Sequence, residues 1–293
     1  MKRTWLIGGL AALLLAACSS QSDLVGSGGG ISSLTAADTS ESAALSASDA
    51  TAEDIDLMNA AELSIDGGAY DLIQNSAPFN SSAPSFSSGS DSTRFAFWSF
   101  GKDCTYSAAA GRFTCPAIVK NGLTLARSAA FFDANGVAMS KPDSLTASAN
   151  FQLTVNGVHV ALTGADTISR SRNMTATGLL GKETSRTWNG TGSRADAGFR
   201  SDSGVTRTYH TTDNVTFTNV VVKLPRLANP WPISGTVVRQ VAGSGSATRS
   251  GTTRTFTLSR VVTITFNGTR LVPMTVGTTA FTLDLMTGKA TKV

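Results

Sequence analysis

Three arginine and aromatic pairs are the residues in this chain best suited to binding chemistry. They are Arg186 with Trp188, Arg207 with Tyr209, and Arg254 with Phe256. Residues two apart in a β-strand lie on the same face, so each arginine would share a face with its aromatic ring. Arginine binds phosphate or carboxylate through two parallel hydrogen bonds, and an aromatic ring stacks on a sugar or a base. The pattern therefore predicts a surface for an anionic glycan or a nucleic acid.

A structural role is the competing interpretation, because arginine and aromatic side chains also pack across neighbouring strands to cover a sheet face. Four further arginines enlarge the basic region: Arg170, Arg172, Arg194 and Arg200. No signature of a nucleic-acid-binding module is present, so no nucleic-acid partner is expected.

Catalytic, metal and cofactor sites are not indicated by the motifs of the chain. Only His159 and His210 are present, and HExxH, GxSxG and glycine-rich phosphate loops are absent from the sequence. We expect His159 to be a surface strand residue, and the closeness of His210 to Asp213 in sequence does not define a triad. Asp133 begins a faint calcium-loop pattern that lacks the later oxygen ligands, which favours an ordinary turn. No enzyme, metal or cofactor is predicted, although carboxylates paired in space for hydrolysis cannot be seen in a sequence.

Two cysteines of the body, Cys104 and Cys115, predict a disulfide. A turn-like stretch separates them, and the residues on either side favour strands, so the pair would lie across a hairpin. A metal site is not expected here, because neither histidine is nearby and no CxxC spacing occurs.

Charge is distributed unevenly along the chain. Residues 19–93 contain no Lys or Arg and eleven acidic residues, whereas residues 94–293 contain 22 Lys and Arg and nine acidic residues. An acidic leader thus precedes a basic body. The asymmetry favours either an anionic partner for the body or a leader that folds back and neutralises it.

The amino terminus carries an export signal. Lys2 and Arg3 precede an apolar run that ends in Leu15, Ala16, Ala17 and Cys18. This segment resembles the signal peptide and lipobox of bacterial lipoproteins. The resemblance implies that residues 1–17 are removed and that Cys18 carries the acyl chains of a membrane anchor. It places the protein in a cell envelope, and at the outer membrane if the host has two membranes, because Ser19 is not aspartate.

The acidic leader is predicted to have three parts. Residues 18–50 are rich in Ser, Gly and Ala and predict a flexible tether. Residues 51–68 predict a short helix that begins with a capping box from Thr51 to Asp54 and ends at Gly67 and Gly68. Residues 69–93 predict a Ser/Pro-rich linker. The sequence leaves open whether the helix docks on the body.

The body, residues 94–293, is predicted to be an all-β domain of antiparallel hairpins that form a sandwich, a barrel or an extended sheet. Asn-Gly, which fills type I′ hairpin turns, begins at positions 121, 135, 156, 189 and 267. The clearest predicted hairpin has its turn at Asn156 and Gly157.

Together these observations predict a lipid-anchored, non-catalytic envelope protein. The favoured role is binding of an anionic envelope component such as a polysaccharide or lipopolysaccharide. A structural or assembly role through sheet edges is the alternative, and hydrolase activity is the least favoured.

Overall fold

The described part of the chain contains one long helix followed by twelve strands. A computed structural model describes residues 36–66, 104–161, 164–202, 204–225 and 228–293. The helix, α1, spans Ala36–Asp66. The strands are β1 (Thr105–Ser107), β2 (Arg112–Lys120), β3 (Leu123–Phe132), β4 (Ser148–Ala161), β5 (Gly164–Thr177), β6 (Ser185–Asp202), β7 (Val205–Lys223), β8 (Ser234–Arg249), β9 (Thr252–Thr265), β10 (Leu271–Val276), β11 (Thr279–Asp284) and β12 (Lys289–Lys292).

All twelve strands form one sheet, and its order follows the order of the chain from β1 to β12. Every pairing is antiparallel, because each strand turns back onto its predecessor. The alternation that predicted strands is visible in β7, where Val215 and Phe217 are buried and Thr216 is exposed. The all-β, hairpin-rich fold is confirmed, with a single sheet and no sandwich among the described residues.

The hydrophobic core lies between α1 and one face of the sheet, which we call the inner face. Ala43, Ala47 and Met58 of the helix pack in the same core as Phe151 and Trp188 of the sheet. The helix contacts β8 to β12, and its acidic side chains reach as far as β5, so the sheet curves around it. Burial of each large apolar side chain contributes about 1.5 to 3 kcal/mol to this packing.

The helix begins 15 residues earlier than predicted. Residues 36–50, assigned to the flexible tether, are helical, and Thr51 is therefore inside the helix and not at its N-cap. The Thr51 hydroxyl donates to the carbonyl oxygen of Ala47 at 2.7 Å. The predicted tether was too long because alanine, which is also common in linkers, has high helix propensity. The small alanine side chains also let the helix approach the sheet closely.

Two of the predicted Asn-Gly turns are wrong. Asn156 and Gly157 lie inside β4, and Asn189 and Gly190 lie inside β6. A Cβ on Gly157 would lie 2.1 Å from the carbonyl oxygen of Gly122, so this glycine permits close approach of two backbones.

The other three Asn-Gly pairs lie in turns or loops. Asn121 and Gly122 join β2 to β3 with φ values of 52° and 79°, as a type I′ turn requires. The pairs at 135 and 267 lie in connections, where Gly136 and Gly268 have φ values of 78° and 80°.

The predicted disulfide between Cys104 and Cys115 is confirmed. Cys115 lies in β2 and Cys104 immediately precedes β1, so the bond links the two arms of the first hairpin. Closing so short a loop stabilises the fold by about 2 to 3 kcal/mol in the chain-entropy model.

Several predicted features of the amino-terminal region lie outside the described residues. They are the signal peptide, the lipobox with Cys18, the tether up to residue 35, the glycines at 67 and 68, the linker 69–93 and the start of the body up to residue 103.

Candidate functional site

The long strands β4 to β9 bring arginine and aromatic side chains together on the inner face. We call the end of the sheet where β4 joins β5, β6 joins β7 and β8 joins β9 the tip end. Two of the predicted pairs, Arg207 with Tyr209 and Arg254 with Phe256, lie near this end. All four side chains are partly exposed.

The strand register aligns these two pairs in adjacent rows. Tyr209 pairs with Gly245, which pairs with Phe256 on the next strand. One row closer to the tip, Arg207 pairs with Ala247, which pairs with Arg254. The two arginines and the two rings are each separated by two strand spacings, about 10 Å.

Glycines make room for the aromatic rings. A Cβ on Gly245 would lie 2.5 Å from Cε1 of Phe256, and a Cβ on Gly198 would lie 2.8 Å from the hydroxyl oxygen of Tyr209. Each ring therefore lies over the backbone of a neighbouring strand. Nothing in the local sequence marks these two glycines, because their role depends on cross-strand register.

Buried Asp166 orients Tyr209 of the aromatic row. The Tyr209 hydroxyl donates to Asp166 Oδ1, and the Arg200 guanidinium donates to Asp166 Oδ2. Because Asp166 is completely buried, its carboxylate needs polar partners in place of water, and the hydroxyl and the guanidinium provide them. Arg200 also pairs with Arg207 in the strand register and completes a row of three arginines.

The remaining pair, Arg186 and Trp188, lies away from the tip end. Trp188 is completely buried and stacks on Phe151 with ring centroids 5.8 Å apart. Arg186 is also buried. The structure thus brings together two of the three predicted pairs and places the third in the core.

A buried ionic cluster connects the helix to the sheet. Asp54 accepts a hydrogen bond from Arg172 Nε at 2.5 Å and also pairs with Arg239. Arg239 is completely buried, pairs with Asp213, and donates from Nε to the Thr51 hydroxyl at 3.0 Å. Pairing of the two carboxylates with the two guanidiniums lets these charges remain in a low-dielectric interior.

Carboxylates of the helix and of the sheet raise the pKa of two buried sheet arginines. Burial on its own lowers the pKa of Arg172, but the charge and hydrogen bond of Asp54 and the charges of Glu53 and Asp213 together raise the pKa above the ordinary value. Burial also lowers the pKa of Arg194, but the charges of Asp196, Glu53 and Asp213 and the hydrogen bond to Asp196 together raise the pKa above the ordinary value.

The four arginines that enlarged the basic region in the sequence all form ion pairs. Arg172 and Arg200 have the partners described above. Arg194 Nε contacts Asp196 at 2.5 Å, and Arg170 contacts Asp196 at 3.2 Å and Glu53 of the helix at 3.4 Å. The helix part of the acidic leader therefore folds back on the body and neutralises part of it, as one of the two interpretations of the charge asymmetry predicted.

The two histidines lie on opposite faces of the sheet. His159 is partly exposed and faces inward, whereas Val158 and Val160 beside it are exposed. His159 thus lies in a strand, as predicted, with its side chain on the inner face because β4 continues through Gly157 without a turn. His210 is exposed on the outer face, and Asp213 is buried on the inner face, so they do not form a catalytic pair.

Asp133 lies in a turn, as expected. Its carboxylate accepts hydrogen bonds from the backbone amides of Val137 and Asn135 at 2.8 and 2.9 Å. The bond from Val137 is the main cause that lowers the pKa of Asp133. Within the described part of the chain, no three His, Cys, Asp or Glu side chains are grouped so that they could hold a metal.

The outer face has a depression of about 520 Å³ across β4 to β7. Most side chains that line it are uncharged hydroxyls and amides, including Thr154, Asn173 and Asn214. It contains no pair of carboxylates of the kind used in glycoside hydrolysis.

Comparisons of the chain with known protein families, curated proteins and solved structures found no match. Among the described residues, no helix has the length and apolar character needed to cross a membrane.

Proposed function

We propose that this chain is a lipid-anchored, non-catalytic protein of a bacterial cell envelope whose β domain binds an anionic envelope component. The binding residues are Arg207, Tyr209, Arg254 and Phe256. The anchor is acylated Cys18, and the location is the outer membrane where the host has two membranes. An anionic polysaccharide or lipopolysaccharide is the kind of partner that this chemistry fits.

One observation carries the proposal: the two arginines and the two rings occupy adjacent rows of the same sheet face and are partly exposed. Guanidinium groups bind phosphate or carboxylate, and rings beside them stack on sugars. The two rows lie only two residues apart along each strand, so a single ligand can contact both rows. Arg170, Arg172, Arg194 and Arg200 are already paired with carboxylates and are left out of the binding set.

The alternative of assembly through sheet edges has less support. The outermost strands of the described sheet are short, with three residues in β1 and four in β12. Lys289 and Lys292 of β12 are exposed. Short, lysine-bearing edge strands offer little backbone for pairing with another chain.

The proposal predicts that the double variant Arg207→Gln/Arg254→Gln binds anions more weakly. Loss of two charge-assisted contacts should lower affinity for heparin and for lipopolysaccharide by at least about tenfold. Column retention and calorimetry at several salt concentrations measure the effect, and retention of the unmodified protein should fall with salt.

Lys120→Gln/Lys289→Gln is the matched control, because it removes the same net charge from two exposed residues far from the two rows. This control should retain most of the affinity. Equal loss in both double variants would show that only net charge matters and would contradict the proposed site.

A further inference from the structure

The outer face of the long strands β4 to β9 carries almost no charge. Burial alternates along each strand, and the register carries the same phase from one strand to the next. Arg172, Asp196 and Arg239 lie in the inner phase. Of the described side chains in the outer phase of these six strands, only that of Lys223, at the end of β7 away from the tip end, belongs to a Lys, Arg, Asp or Glu. An ordinary solvated surface mixes charges of both signs with its polar residues, so the composition of this face is unusual.

The depression of about 520 Å³ lies within this uncharged face. Two adjacent rows line it, each with one outward side chain from each of β4 to β7. The rows run from Gln152 through Asn173 and Thr191 to Thr216, and from Thr154 through Ser171 and Ser193 to Asn214. They cover an area of about 14 by 7 Å. The volume is within the range of about 300 to 1,000 Å³ that is typical of pockets for small ligands.

Differences in side-chain length give the depression its shape. Ser171 and Ser193 occupy the centre of one row, and their hydroxyl oxygens lie 2.8 Å apart, so these short side chains form the floor. The longer amide side chains of Gln152 and Asn214 lie at opposite corners of the two rows. A ligand that lies across the floor can therefore contact both amides.

The lining offers hydrogen-bond donors and acceptors that the protein does not use. In the described part of the chain, the side chains of Gln152, Asn214, Thr191 and Thr216 have no hydrogen-bond partner. Each amide provides two donors and an acceptor, and each hydroxyl both donates and accepts. The lining thus matches a molecule without charge whose own groups also donate and accept.

Other classes of ligand fit this lining less well. A phosphate or carboxylate needs a cation, but Arg172, the charged residue at the depression, is buried on the inner face and pairs with Asp54. A protein or lipid partner needs apolar side chains at the contact, but those of Leu153 and Val215 are also buried on the inner face. The hydroxyl groups of a neutral sugar provide the donors and acceptors that remain.

We propose that the outer-face depression binds a neutral oligosaccharide, with Gln152 and Asn214 holding hydroxyl groups of neighbouring sugar units. This inference goes beyond the proposed function, because the anionic component binds to Arg207 and Arg254 on the inner face. One sheet would thus hold a charged ligand on one face and an uncharged ligand on the other.

Calorimetry of the full-length protein with maltohexaose, laminarihexaose and chitohexaose tests the proposal. At least one of these neutral hexasaccharides should bind with a Kd below about 1 mM. The affinity should not change with salt concentration, because no charged contact forms. Gln152→Ala/Asn214→Ala removes two amides that have no partner in the described fold, and it should weaken binding by at least about tenfold.

Ser244→Leu is the matched control for Ser193→Leu. Both serines are exposed on the outer face, but Ser244 lies on β8 toward the tip end and outside the depression. Leucine at position 193 should fill the depression and abolish binding, whereas leucine at position 244 should leave binding unchanged. Equal loss in both variants would overturn the proposed site, and so would absence of binding by all three hexasaccharides at about 10 mM.

The two proposals fail in distinguishable ways. Arg207→Gln/Arg254→Gln should lose heparin retention and keep its affinity for the neutral hexasaccharide. If this double variant loses both ligands, or if heparin displaces the hexasaccharide, the outer-face site is wrong and the inner face is the glycan site. If it keeps heparin retention while Ser193→Leu abolishes hexasaccharide binding, the inner-face site is wrong and the outer-face site remains.

Discussion

Replacing Asp54 with Asn should lower the free energy of unfolding by about 3 to 5 kcal/mol, because the variant removes the carboxylate that pairs with buried Arg172 and one of the two that pair with buried Arg239. Asp54 is 2% exposed and contacts both Arg172 and Arg239. Chemical denaturation followed by circular dichroism measures the loss. Removal of one partner of a buried ion pair costs far more than the intact pair contributes.

Glu53→Gln provides the matched control for Asp54→Asn. Glu53 is the preceding residue of the same helix, and its pair with Arg170 is longer and more exposed. Its loss should cost less than about 1 kcal/mol. Similar destabilisation by both variants would contradict the central position assigned to Asp54.

Replacing Trp188 with Ala should lower the free energy of unfolding by about 3 to 5 kcal/mol, because a completely buried aromatic side chain leaves a cavity. Phe256 has the same place in its arginine pair but is partly exposed, so Phe256→Ala should cost only about 1 kcal/mol. Thermal and urea unfolding compare the two variants.

Binding measurements separate the roles of the same two rings. Phe256→Ala should weaken heparin retention, and Trp188→Phe, which preserves most of the buried volume, should not. A Trp188→Ala variant whose free energy of unfolding is unchanged but which no longer binds heparin would show that Trp188 belongs to the binding surface, contrary to its position in the core.

Local features of this fold could be predicted from the sequence. The i, i+2 spacing places Arg207 beside Tyr209 on one face whatever the rest of the chain does. The disulfide between Cys104 and Cys115 could also be predicted, because it closes one short hairpin.

Long-range relations could not be predicted. The row from Tyr209 through Gly245 to Phe256 depends on the register of three strands, which turn lengths and bulges determine. The contact between Asp54 and Arg239 joins residues 185 positions apart. Nothing in the local sequence of Asp54 indicates which of the 24 Lys and Arg residues it meets.

Tertiary context overrode two local signals. Residues 36–50 resemble a linker in composition, yet their alanines pack against the sheet as a helix. Asn156 and Gly157 resemble a hairpin turn, yet pairing with β3 and β5 on either side keeps β4 extended through them.

Mass spectrometry of the mature amino terminus tests the central claim of a lipid-anchored envelope protein most directly. The protein purified from the membrane fraction of a bacterial host should begin at Cys18, and this residue should carry the mass of a diacylglycerol thioether and an N-linked acyl chain. An unmodified amino terminus, or a soluble cytosolic product that retains Met1, would contradict the claim.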